Sequence, residues 1–100
     1  MSDREAYEYA VATACGLLNI DVGGAMSTRR KADFCLARKC AYHALYRFRW
    51  TQGRIAGAAG KDRTTVLHAL SALEDRDLCL RAAKRIFETL KERGLVYGAN

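Results

Sequence analysis

Residues 61–69 read Lys-Asp-Arg-Thr-Thr-Val-Leu-His-Ala. Asp62 is an N-cap residue, and Arg63, Thr64 and Thr65 form the first turn of the helix it opens. Val66, Leu67, Leu70 and Leu73 make an apolar stripe for burial, which leaves Arg63, Thr64, Thr65 and His68 able to face outward. The start of such a helix has the chemistry to touch a nucleic-acid duplex. Its unpaired backbone N–H groups and positive dipole end suit a phosphate. Threonine meets a base edge or a thymine methyl without clashing, and arginine makes a bidentate contact to guanine that discriminates bases by ~1–3 kcal/mol. Lys61, just ahead of the helix, is placed for a phosphate.

Helices must carry these groups. Ser2 and Glu5 have the spacing of a capping box, and Tyr7, Val11, Ala14 and Leu18 follow at helical intervals, so a first helix is expected over about residues 3–18. A connection follows, weakened by Gly23-Gly24, with room for a single turn near residues 22–26. It ends in the basic stretch Ser27-Thr28-Arg29-Arg30-Lys31. Residues 32–48 contain no breaker and should form a long central helix, with Cys35, Leu36, Cys40, Ala44 and Leu45 inward and Arg38, Lys39 and Arg47 away from that face. Thr51 caps a short helix over about 52–58, and Gly60 ends it in the left-handed conformation. The helix opened by Asp62 comes next. A last helix spans about 76–93, capped by Glu74 or Asp75, with Ala82, Ala83, Ile86, Phe87 and Leu90 inward and Gly94 as its stop. Residues 95–100 form a tail expected to fray.

The fold class that follows is all-α: one domain over 1–100 with five or six helices, and a helix-turn-helix over about 51–74. One hundred residues leave no room for a second core, and proline is absent. The chain is 50% apolar and 28% charged, which is globular rather than disordered composition. No apolar run reaches the ~18–20 residues of a membrane span, and the polar start of the chain is not a secretory signal. Four cysteines in that setting point to free thiols in a reducing cytoplasm.

The net charge of +6 is unevenly spread. From Arg29 to Arg63 ten basic residues face two acids, while the rest of the chain is slightly acidic. A positive middle of this kind is the footprint of a polyanion binder, with Arg38, Arg47, Arg49 and Lys61 as candidates for phosphate neutralisation; the bland alternative is a solvated basic surface.

The stretch Lys61-Asp62-Arg63-Thr64-Thr65-Val66-Leu67-His68-Ala69 resembles the signature of the C-terminal DNA-binding domain of the bacterial replication initiator DnaA, which usually reads Gly-Arg-Asp-His-Thr-Thr-Val-Leu-His-Ala. By order and spacing the resemblance extends back through Ile55 and the long helix to Ser27–Lys31, and on to the first helix. It implies a minor-groove arginine at Arg29 with Arg30 adjacent, base-reading threonines at Thr64 and Thr65, and family counterparts at Lys61, Asp62 and His68. Three departures stand out. Arg63 replaces the family's histidine, Gly60 stands alone where two glycines are common, and Phe34–Arg38 replaces a proline-containing stretch. The resemblance therefore implies the fold and the docking mode rather than the target sequence. With no P-loop and no room for an ATPase module, it does not imply initiator activity.

Other chemistry has less support. Cys35 and Cys40 lie about 140° apart around a helix, a poor chelate with His43, so buried thiols are the better account and no metal or cofactor is expected. Tyr42, Tyr46, Phe48 and Trp50 suit core or cap positions better than a stacking platform. Nothing pairs a nucleophile with a base, so no enzymatic activity is expected. His68 suits an outward position or a half-buried one. The reading is sequence-specific binding of double-stranded DNA through Arg29, Arg30, Lys31, Arg38, Lys61, Asp62, Arg63, Thr64, Thr65 and His68. The expected role is a bacterial or phage transcription regulator, with transcription machinery as a possible further partner. The alternatives are an origin-binding module without its ATPase, and an adaptor whose basic face grips an acidic protein.

Overall fold

In the computed structural model, which describes residues 1–95, Ser2 opens the first helix through a complete capping box. The Glu5 N–H donates to Ser2 Oγ at 3.1 Å, and the Ser2 N–H donates to Glu5 Oε1 at 3.0 Å. Helix α1 runs Asp3–Leu18 and ends at Asn19 in the left-handed region. A five-residue helix, α2 (Val22–Met26), starts at Asp21, whose carboxylate accepts from the Gly24 N–H at 2.7 Å. Helix α3 (Ala32–Arg47) is followed by α4 (Gln52–Ala59), α5 (Arg63–Ser71) and α6 (Arg76–Glu92). The described residues contain no strand, and none of their helices is long and apolar enough to cross a membrane.

Helices α1, α3 and α6 pack against one another most extensively and enclose the core. Val11, Leu45, Phe48, Trp50, Ile55, Ile86 and Leu90 are fully buried there, each worth about 1.5–3 kcal/mol relative to exposure. Phe48 and Phe87 pack with ring centroids 4.3 Å apart, and Tyr7 stacks on Tyr42 at 6.2 Å. Of the aromatics at the end of α3, only Tyr46 is exposed. Cys15, Cys40 and Cys79 are buried; the neighbouring Cys79 thiol of α6, together with burial, pushes the Cys40 thiol far above its ordinary range.

Helix α4 is tied to α1 at both ends. The Arg4 guanidinium donates to the Ala58 carbonyl at 2.9 Å. At the other end Arg54 pairs with both Asp3 carboxylate oxygens at 3.0 Å and lies 3.9 Å over the Trp50 ring. Thr51 caps α4 by accepting from the Arg54 N–H. Gly60, at φ +68°, closes it, with the Lys61 N–H reaching back to the Ala56 carbonyl at 3.0 Å. This is a Schellman closure, and glycine takes its left-handed step without the Cβ penalty.

The inward faces of two helices, α5 and α3, differ from expectation. On α5 only Val66 is fully buried, whereas Leu67 is 43% exposed and Leu73 stands almost wholly in solvent beyond the helix end. On α3 Cys35 faces outward and Arg38 inward. Tyr42 joins that inward face. At the C-terminus Leu95 is partly buried and its N–H donates to the Leu90 carbonyl; the rest of the expected tail, 96–100, lies outside the described residues.

Candidate nucleic-acid interface

The turn from α4 to α5 uses three residues, Gly60, Lys61 and Asp62, and the two helices pack together. Asp62 has the extended backbone of an N-cap, but its carboxylate makes no capping bond. The first-turn N–H groups of α5 are therefore not satisfied by that side chain, which suits an external acceptor. With Val66 as the sole full anchor and Ala69 and Leu70 half-buried, most of α5 is left in solvent. Arg63, Thr64, Thr65, Leu67 and His68 are all exposed.

These residues split into two rows. Thr65 and His68, three residues apart and so on one side of the helix, line a cleft of about 330 Å³ with Lys61, Arg30, Lys39 and Tyr42. Arg63, Thr64 and Leu67 line a second hollow of about 320 Å³ with Gln52 from the start of α4. The tip of α5 thus forms a ridge with a basic cleft on one flank and a mixed hollow on the other.

The basic loop meets the ridge through Arg30. The loop is held by Arg38, whose Nε donates to the Ala25 carbonyl at 2.8 Å and whose Nη2 donates to the carbonyls of Gly24 at 3.3 Å and Ser27 at 2.7 Å. Ser27 Oγ in turn donates to the Gly24 carbonyl at 2.6 Å and accepts from the Arg29 N–H at 3.1 Å. Gly24 must be glycine, because a Cβ there would overlap the Phe34 ring. Together these contacts fasten α2 and the loop onto α3.

Arg38 is the correction this geometry requires. It was expected to lie away from the apolar face and to neutralise phosphate. Instead it is 5% exposed, with its guanidinium committed to main-chain carbonyls; it lines the floor-side of the same cleft as Arg30, Lys61 and Thr65 and holds the loop there. The cause is the open C-terminal end of α2, whose carbonyls lack helical partners and need a buried donor.

The other expected residues divide between the sites. Arg29 is exposed but does not line the cleft, whereas its neighbour Arg30 does. Lys31 sits at the start of α3 with Nζ 5.7 Å from the Phe34 ring centroid. Arg47 lies in a third hollow with His43 and Arg76, apart from the cleft. Arg49 occupies the left-handed region at φ +68° in the α3–α4 connection.

No family model, curated protein or solved structure matches the chain.

Six residues at these sites were not expected, Cys35 and Ala69 of the cleft wall among them. Lys39 carries part of the central positive excess, and its Nζ also reaches the Glu74 carbonyl at 3.4 Å. Tyr42 lines the cleft and stacks on Tyr7; burial, then the neighbouring Tyr7, raise its hydroxyl pKa. Gln52 and Leu67 complete the second hollow. Only Lys39 had a sequence signal, through its charge. Gln52 had none, because its nearness to Arg63 arises from how α4 folds back on α5.

Proposed function

We propose that this chain binds double-stranded DNA with sequence preference, inserting the tip of α5 into the major groove and laying the basic loop along the adjoining backbone or minor groove. One observation carries this reading: Thr65 and His68 of α5 share a cleft with Lys61 of the turn and Arg30 of the loop. Base-contacting side chains and phosphate-binding cations thereby face one partner from one side of the molecule. A B-form major groove, ~12 Å wide, admits a helix presented end-first, and α5 has few inward attachments to obstruct entry.

Roles follow from chemistry. Thr64 and Thr65 meet base edges or thymine methyls, Arg63 suits guanine, and the Asp62 carboxylate accepts from a cytosine amino group. Lys61, Arg30, Lys31 and Arg29 neutralise phosphate and make affinity salt-dependent. Similarity of residues 61–69 to the DnaA signature supports the same docking mode and keeps origin binding as the second role. With no ATPase motif in these residues, transcriptional regulation is the first. RNA is the poorer target, because the deep A-form major groove excludes side chains.

The test is selection from a random duplex pool at ~150 mM salt, where non-specific attraction is damped. A recovered consensus is the expected result. A flat pool would overturn sequence reading. Binding to an acidic protein in place of duplex would favour the adaptor.

A further inference from the structure

A second surface, away from the basic cleft, has features that DNA binding does not use. A hollow of about 280 Å³ lies among α3, α5 and α6, lined by His43, Tyr46, Arg47, Leu70, Arg76 and Leu80. It shares no lining residue with the cleft. Tyr46 is 53% exposed and Leu80 is comparably open, while Leu73 projects from the connection between Leu70 and Arg76. Large apolar side chains gathered at one hollow mark a contact surface, whereas scattered ones do not.

The two charged side chains that line the hollow, Arg47 and Arg76, are both cationic. Arg47 lies 5.3 Å over the Phe87 ring, and Arg76 donates to the Leu70 carbonyl at 3.1 Å. Among the described residues neither meets a carboxylate. At the base of the hollow His43 is 7% exposed, and its Nε2 is buried without a hydrogen-bond partner. The side-chain charges felt at that imidazole come from Arg76 and Lys39, both cationic.

From this arrangement we infer that the α3–α6 face docks a segment of a partner protein that carries carboxylates beside leucine-like or aromatic side chains. The apolar residues cover Tyr46 and Leu80, and the carboxylates meet Arg47 and Arg76. A phosphate backbone offers nothing apolar to cover Tyr46 and Leu80, which sets the surface apart from a nucleic-acid contact. Glu5 and Glu8, which line a hollow with this chain's own exposed Tyr9, are engaged by Ser2 and Arg4, so that patch offers a second copy no free carboxylate. This inference is independent of the DNA reading.

Panning short random phage-displayed peptides against the folded chain tests it, with duplex binding and sedimentation measured in parallel. Enriched peptides should combine Asp or Glu with Leu, Phe or Trp. They should bind Arg47→Glu and Leu80→Ser roughly tenfold or more weakly than the parent, with both variants keeping its helicity and melting temperature. Backbone amide shifts on titration should cluster around His43, Leu70 and Leu80. No enrichment, basic or uncharged peptides, or binding unaffected by either substitution would overturn the inference. Self-association abolished by the same substitutions would assign the face to a second copy. A comparable loss of duplex affinity would assign it to nucleic acid.

Discussion

The Arg38 guanidinium lies 2.7 Å from the Ser27 carbonyl, where α2 ends and the basic loop begins. A buried cation from the long helix thus holds the start of the basic loop, three residues ahead of Arg30.

Substituting Arg38 should therefore act on stability and binding together. Arg38→Gln removes the guanidinium donors from the carbonyls of Ala25 and Ser27, leaving Gly24 with its Ser27 partners, and should cost about 2–4 kcal/mol in denaturant unfolding. Duplex affinity should fall further than the unfolded fraction explains. Arg29→Gln, at an exposed site, should weaken binding without shifting the unfolding midpoint. If the two variants were equally stable, the positioning role of Arg38 would be wrong.

Thr65 and Lys61 share a cleft but should give different signatures. Thr65→Ala should flatten the preference at one base position, by about 1 kcal/mol. Lys61→Ala should weaken all duplexes alike and reduce the slope of log affinity against log salt by about 1. Fluorescence anisotropy on consensus and scrambled duplexes over a salt series reads both.

Val66 and Leu67 are neighbours with opposite surroundings. Val66→Ala opens a gap under α5 and should cost about 1–2.5 kcal/mol. Leu67→Ala removes mostly solvated surface and should cost less than about 0.5 kcal/mol. Thermal unfolding distinguishes these outcomes, and equal losses would mean that α5 is seated differently.

That pair shows where local pattern stops being sufficient. The capping box at Ser2, the cap at Thr51 and the closure at Gly60 are chemistry within a few residues, so the helix ends were legible. The inward face of α5 was not. Nine residues with apolar side chains at 66, 67, 69 and 70 allow more than one stripe, and the neighbouring α3 and α4 select Val66. Arg38 and Cys35 exchanged places for a similar reason, because α2 supplies carbonyls that no local periodicity reveals. The cleft was half legible: Lys61, Thr65 and His68 follow from the order of residues, whereas Tyr42 and Lys39 enter only through the packing of α3 beside α5.

His43 gives a pH dependence of definite sign. Burial, then Arg76 and Lys39, hold its pKa below the ordinary 6.5. The unfolded chain therefore takes up the proton first. Its contribution to stability is complete above about pH 6.5 and declines as pH falls from there toward the lower folded value. Asp3 and Glu5, whose pKa values are lowered by Arg54 and by Ser2 respectively, act only near or below their ordinary 3.8 and 4.5. Urea unfolding should thus show a loss between about pH 7 and pH 5 that His43→Gln diminishes. An unchanged profile would contradict it.

Of the four cysteines only Cys35 is open to solvent, and it lines the basic cleft. The native fold therefore carries its own labelling point: a thiol-reactive dye would mark one defined place per molecule without engineering, and the speed of its attachment would report whether that wall is covered.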